Sequence, residues 1–246
     1  MHYEYLTFVS SLVFPFTALI VFIFDFIALI VLISRTFKAT KETLTCHPVT
    51  ILRPLKGTDP NLFKNLESSF LQLSNAPIQI IFTVKTDSDP CIHIVKELLT
   101  KYPNHDAQLV IGQGVGLINP KVDNLFNGYS IAKHDIIWVI DSNVLFTSNT
   151  VLSRSADLLS EPGVGMVHHL PVCRDASSFG SMLELEFINL VHTRVYLSVN
   201  WIAIASCLIG KSNMVCLFIC ACVSCLPFFL KENFLKESCL PYGEVD

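Results

Sequence analysis

From Phe8 to Ile33 the chain runs through 26 residues that contain one charge, Asp25, and one proline, Pro15. An apolar run of that length can cross a bilayer core with some tilt. A cleavable signal would open on basic residues and place a small-residue cleavage site after a shorter apolar stretch, whereas this chain opens MHYEYLT. The expectation is an uncleaved signal anchor over residues 1–37. Arg35, Lys38 and Lys41 come directly after the run and Glu4 precedes it, so the positive-inside rule puts the domain beyond the anchor in the cytosol. Asp25 is either a functional intramembrane group or a protonated or partner-bonded residue in a helix contact.

Beyond a polar linker, residues 38–48, short β-rich runs alternate with helical patterns. Val49–Leu55, Ile78–Val84, Ala107–Gly112, Asp135–Asp141 and Gly165–Leu170 read as strands. Asp59 and Pro60 read as the N-cap and first position of a helix carrying Leu62, Phe63 and Leu66, with Phe70 and Leu71 continuing its apolar spacing. Further helices are predicted over 90–102, with Ile94, Val95, Leu98 and Leu99 inward, and over 122–133 and 150–159. Strand and helix in alternation predict an α/β domain, a mostly parallel Rossmann-like sheet with helices on both faces. Ligands in such sheets bind beyond the carboxyl ends of the strands. Four of these ends carry polar groups: Arg53 to Gly57, Lys85 to Asp89, Asp141 to Asn143, and His168-His169.

Composition sharpens this picture. The 246 residues are 51% hydrophobic and 15% charged, with a mean hydropathy of +0.51, which argues against a purely cytosolic globular protein and against disorder. The net charge is −4 and no basic stripe is visible, so nucleic acid is excluded as a partner. Nine cysteines, four of them crowded at Cys216, Cys220, Cys222 and Cys225 among apolar residues, lack the paired knuckles of a zinc site and do not suggest a secreted disulfide framework. No Gly-x-Ser-x-Gly elbow or His-Glu-x-x-His pair supports a hydrolase or zincin reading.

Chemistry therefore concentrates at the strand ends. Asp141, with Asn143 two residues on, can hold a Mg²⁺ or Mn²⁺ ion that bridges phosphates, since these ions prefer oxygen ligands and keep several waters; the same residue could serve as a helix cap or loop anchor. Asp87 and Asp89 could reach a base or ribose, and Asp89, before Pro90, could equally be an N-cap. Lys121 comes after a loop with glycines at 112, 114 and 116 that could pass near phosphates, although the loop matches neither a Walker A nor a dinucleotide fingerprint. His192 is either a packed histidine or a site residue.

The N-terminal anchor and six further blocks in order, ILRPLKGTDPNLFKNLES (51–68), SDP (88–90), NPKVDNL (119–125), IIWVIDSN (136–143), GMVHHLP (165–171) and HTRVYLSVN (192–200), resemble the ceramide glucosyltransferase family. The resemblance runs to about Met214. It implies a GT-A glycosyltransferase domain over 49–213 that moves glucose from UDP-glucose to ceramide with inversion, at the cytosolic face of the Golgi membrane or of the endoplasmic reticulum. It further implies that Asp89 and Asp141 serve the nucleotide and its divalent cation, with Asp141 the metal ligand, that Lys121 contacts the donor, and that His192 lies near the active site. The family's third carboxylate, the general base, and its Gln-x-x-Arg-Trp block have no counterpart here: no Gln comes after Gln113 and no Arg after Arg194. Residues 214–246 read instead as a divergent apolar, cysteine-rich tail, with Met214 to Leu230 at the lower limit for a second span. The expectation is a truncated relative with three readings: a glucosyltransferase, a non-catalytic UDP-sugar-binding or regulatory protein that pairs with a full-length homologue, or a polysaccharide synthase. The Arg-Pro-Leu-Lys-Gly and Asn-Pro-Lys blocks favour the sphingolipid branch over the last.

Overall fold

A computed structural model describes residues 2–36, 44–176, 178–202 and 207–216. Its strands are β1 (Val49–Pro54), β2 (Ile78–Val84), β3 (Asp106–Ile111), β4 (Ile136–Ile140), β5 (Met166–His168) and β6 (Ser212–Cys216). The helices are α1 (His2–Thr36), α2 (Leu62–Glu67), α3 (Cys91–Lys101), α4 (Pro120–Tyr129), α5 (Val151–Leu159), α6 (Phe179–Glu186) and α7 (Thr193–Ile202), with a π-helical segment, Phe187–His192, joining the last two.

The six strands form one sheet in the order β3-β2-β1-β4-β6-β5. The pairs β3–β2, β2–β1 and β1–β4 are parallel, as the alternation predicts, and β6 lies antiparallel between β4 and β5. Nothing in the local pattern of Ser212–Cys216 marks this strand, because its stability comes from two neighbours far away in sequence. It also crosses residue 213, where the sequence pattern ends the domain, and takes Cys216 into the sheet. Cys220, Cys222, Cys225 and the rest of the expected second span lie outside the described residues, as does much of the linker.

Alternate strand residues face two cores. On one side Val49, Ile51, Ile80, Phe82 and Trp138 meet Leu62 and Leu66 of α2, Val95 and Leu98 of α3, and Leu152 and Ala156 of α5. On the other, Leu52, Ile81 and Ile137 form a smaller cluster with Leu125 of α4. Helix α4 approaches this face so closely that a Cβ on Gly128 would stand 2.3 Å from Leu52 Cδ1 and 2.6 Å from Thr83 Cγ2.

Helix boundaries differ from the predicted ones for identifiable reasons. Asp59 does not cap α2: Pro60 and Asn61 form a turn in which the Leu62 amide donates to the Asp59 carbonyl, and the helix begins two residues later, ending before Phe70. Helix α4 begins at Pro120 because the Asn119 side chain accepts hydrogen bonds from the amides of Lys121 and Val122, and it ends at Tyr129 rather than at 133.

Helix α1 contains a segment, Phe16–Ser34, long and apolar enough to cross a membrane. Its Ala28 and Val31 pack on Tyr196 and Leu197 of α7. Asp25 accepts from Arg194 Nη1 at 2.9 and 3.1 Å, and Ser198 Oγ donates to the Phe24 carbonyl. Of the two readings of Asp25, the structure bears out the helix contact.

Candidate functional site

The carboxyl ends of β1, β2 and β4 converge on a cavity of about 540 Å³, a volume typical of small-ligand sites. Pro54, Leu55 and Lys56 enter from β1, Lys85, Thr86 and Asp89 from β2, and Asp141 to Asn143 from β4. The first turn of α4 adds Pro120, Lys121 and Asn124, and Lys211 completes the wall just before β6. Three of the four polar strand ends singled out in the sequence thus meet at one cavity. Lys211 was not among them, because it precedes an antiparallel strand that no local signal marked.

Asp141 is held at the tip of a buried strand by groups on both sides. Its amide donates to the Lys211 carbonyl at 2.9 Å, and its own carbonyl accepts from Arg53 Nη1 at 3.3 Å. Arg53 is fully buried beneath the site, donates twice to the Val144 carbonyl and stacks over Phe146. Burial pulls its pKa down to about 9, against the pull of the Asp141 charge. The Asp141 carboxylate pairs with Lys121 through one oxygen and lies 3.8 Å from Lys211 Nζ through the other. Lys121 Nζ also donates to the Gly210 carbonyl at 2.7 Å, and Lys211 Nζ to Asn143 Oδ1 at 3.4 Å. Two cations far apart in sequence, Lys121 and Lys211, thus converge on one carboxylate at the cavity wall.

Asp89 also lines this cavity, but its carboxylate is engaged. The Gly57 amide donates to both its oxygens and the Cys91 amide to one, each at 3.0 Å, so Asp89 ties the β1 exit loop to the start of α3. Partial burial opposes its ionisation, yet the bonds from Cys91 and Gly57 and the Lys56 charge hold its carboxyl below the ordinary value. Asp89 therefore lines the cavity while holding the first amide of α3, whose N-cap is Pro90. Asp87 is exposed and outside the lining.

The glycine-bearing loop does not present its amides to the cavity as the sequence suggested. The amides of Val115, Gly116 and Leu117 all donate to Asp123 Oδ1 at 2.8 to 2.9 Å, while Lys85 Nζ bonds Oδ2 at 2.7 Å. These bonds, the one from Lys85 first, hold the buried Asp123 carboxyl far below its usual range. The loop is an anion nest, and its anion is this chain's own side chain. Gly114, at φ +74°, leaves room for that carboxylate, since a Cβ there would sit 2.5 Å from it. Asp123 follows the Asn-Pro-Lys block within two residues, but its partners lie on a loop whose path the sequence does not reveal.

His192 and the histidine pair are not brought to this cavity. His192 closes the π-helical segment, half-buried, with its ring 6.5 Å from that of Phe187 and 6.2 Å from that of Tyr196. His168 meets the Tyr196 hydroxyl, and His169 is buried between Ser155 and Ser212. A second cavity of about 290 Å³ adjoins the first through the shared residues Asn143 and Lys211. It is lined by Asp59, Asp175 and Glu184 among others, and Asn189 pins one wall by bonding both backbone groups of Cys173.

Residues 13–216 match the sequence profile of Glycosyl transferase family 21. The chain belongs to this family. Among its relatives, a ceramide glucosyltransferase of Komagataella phaffii is 37% identical over 199 residues, covering 71% of this chain and 39% of that protein. Ceramide glucosyltransferase 1 of Caenorhabditis elegans is 29% identical over 196 residues, covering 79% and 41%. The chain thus spans about two fifths of the length of these family 21 relatives. A mannosyltransferase of Pyrobaculum calidifontis, solved with GDP-mannose and Mn²⁺, superposes with a TM-score of 0.51 at 15% identity, over 82% of this chain and 58% of that one. The fold is that of the GT-A glycosyltransferases, a mostly parallel sheet with helices on both faces.

Proposed function

We propose that this chain binds UDP-glucose across the carboxyl ends of β1, β2 and β4 and acts in the transfer of glucose to ceramide at the cytosolic face of Golgi or endoplasmic reticulum membranes. The observation that carries this reading is the convergence of Lys121 and Lys211 on Asp141 at the mouth of the larger cavity. Four lysines and two aspartates line that cavity, and even with Asp123 behind Lys85 the balance is positive, as a diphosphate requires. The names of the family 21 relatives supply the acceptor lipid and the sugar.

In this reading Asp89 holds the β1 loop against α3 so that the nucleotide meets a fixed wall. Lys121 and Lys211 stabilise charge on the departing diphosphate, which is the term that lowers the barrier most in such a transfer. The residues present fit a divalent cation of modest protein ligation. Asp141 Oδ1 is shielded from solvent and accepts no hydrogen bond apart from its ion pair with Lys121. Asn143, whose Oδ1 accepts from Lys211, lines the same cavity, and no group of three or more His, Cys, Asp or Glu side chains placed to hold a metal ion is found among the described residues. Mg²⁺ and Mn²⁺ accept such a site, taking one or two carboxylates and completing their shell with phosphate and water. Bound there, the cation would neutralise diphosphate charge. His192, in its π-helical segment, would act from the neighbouring α6–α7 side of the domain.

A second reading, a UDP-sugar-binding protein without transfer activity that pairs with a full-length homologue, is favoured by one feature. Both carboxylates lining the larger cavity are engaged, Asp89 by backbone amides and Asp141 by lysines, so neither is free to take the proton of the ceramide hydroxyl. Expression in cells lacking glucosylceramide synthesis separates the two. The transferase reading expects glucose transfer to a fluorescent ceramide that Asp141→Ala abolishes; UDP binding in detergent without transfer would establish the second.

A further inference from the structure

The two oxygens of the Asp141 carboxylate are engaged unequally. Lys121 Nζ pairs with Oδ1, an atom shielded from solvent, so the ammonium covers the lone pairs on that side. Lys211 Nζ stands 3.8 Å from Oδ2, beyond hydrogen-bond reach, and bonds Asn143 instead. The hold on Lys121 is light. Its side chain is 38% exposed, its Nζ also bonds the Gly210 carbonyl at 2.7 Å, and its three donors ride on a flexible four-carbon stem. Lys85 differs, since it is tied to Asp123, whose other oxygen is gripped by three loop amides. Asp141 thus carries a counter-ion that can leave it.

We propose that Lys121 competes with the divalent cation for Asp141 Oδ1 and is drawn off by the diphosphate, so that nucleotide and cation bind as a coupled pair. Lys121 covers the lone pairs that a cation would take from Oδ1. Around them the cavity wall holds four lysines and, besides Asp141, one aspartate, so a dication arriving alone also meets net repulsion. A diphosphate reverses both effects: its oxygens accept the Lys121 ammonium, and its charge offsets that of the lysines. Lys121 is then a positioning residue for the cation, acting through Asp141, as well as a contact for the donor. The inference rests on the reading of the larger cavity as the diphosphate site and adds which binding event must help the other. Such coupling is reciprocal, the factor by which UDP tightens the cation being the factor by which the cation tightens UDP. A cation merely shared between Asp141 and phosphate would show coupling too, but the loss of Lys121 would then leave its affinity in the absence of nucleotide unchanged.

The test counts free Mn²⁺ by its electron paramagnetic resonance in solutions of the full chain in detergent, with and without UDP. Lys121→Met keeps the stem and removes the charge. Without UDP, Mn²⁺ is expected to bind Lys121→Met about tenfold more tightly than the parent, and UDP then adds correspondingly less. Lys211→Met, which removes a charge that faces the same carboxylate without covering it, is expected to tighten Mn²⁺ much less. Unchanged or weaker Mn²⁺ binding by Lys121→Met overturns the proposal. Equal tightening by the two variants also overturns it, because it would mean a general field of the lysines rather than competition at one oxygen. Lys121→Gln repeats the measurement if the methionine variant melts differently from the parent. Either pattern with UDP binding intact sinks the competition alone, whereas a parent chain that does not bind UDP with Mn²⁺ present sinks the donor-site reading and the proposal with it.

Discussion

A single charged side chain decides more at Lys211 than its place in the sequence suggests. It stands where the two cavities meet, bonded to Asn143 and facing Asp141, so it can follow a diphosphate from one carboxylate partner to the ligand without moving its backbone. Replacing it by methionine keeps the length and removes the charge. Lys211→Met is expected to weaken UDP binding about tenfold, the equivalent of one charge-assisted hydrogen bond, as read by calorimetry in detergent. An unchanged affinity would place the diphosphate elsewhere. His169 supplies a residue-scale prediction of another kind. Burial, reinforced by His168 and opposed by the Ser212 carbonyl, lowers its pKa from 6.5 to about 4. The unfolded chain therefore binds more protons than the folded one between these values, and stability rises with pH across that window. Stability is fully present above pH 6.5 and falls as the pH drops towards 4, by about 3 kcal/mol from this group alone. Thermal unfolding of His169→Asn, which cannot titrate, should show a flatter acid limb than the parent over this range.

Among the elements, α4 does the most to shape the site, and it does so through closeness to the sheet. Gly128 lets it sit on Leu52 and Thr83, which brings Asn124 to bond the Leu55 and Thr83 carbonyls and sets Lys121 opposite Asp141. Gly128→Ala is expected to cost about 1–3 kcal/mol by overpacking and, by lifting the helix, to weaken UDP binding as well. A melting curve and the same titration check both. The parallel strands and the helices α3 and α5 were legible in the sequence because their signal is local: β-branched runs such as Ile78–Val84, and apolar spacing at Val95 and Leu98. The residues at their carboxyl ends came from the rule for parallel sheets. Strand β6 was not legible, and neither was Lys211 before it, because a five-residue strand between two distant partners leaves no periodic trace. The glycine loop shows a subtler limit. Its composition suits an anion, but composition does not say which, and the anion is Asp123. Asp123→Asn should free that loop and expose Lys85, seen as faster proteolysis between residues 112 and 119.

Across the whole molecule, helix α1 is part of the domain's packing through its contacts with α7. Asp25 and Arg194 are both about two-fifths exposed, so in water their pair would contribute little, of the order of 1 kcal/mol or less. Partial removal from water beside lipid raises the cost of separating them, because either charge left alone must be resolvated or neutralised. The two substitutions should therefore be strongly non-additive. Asp25→Asn and Arg194→Gln are each expected to lower the melting temperature of the reconstituted chain, while the double variant lowers it no further than the worse single one, since it leaves no lone charge behind. Additive losses would mean that each residue acts through other neighbours and that α1 and α7 meet by apolar packing alone.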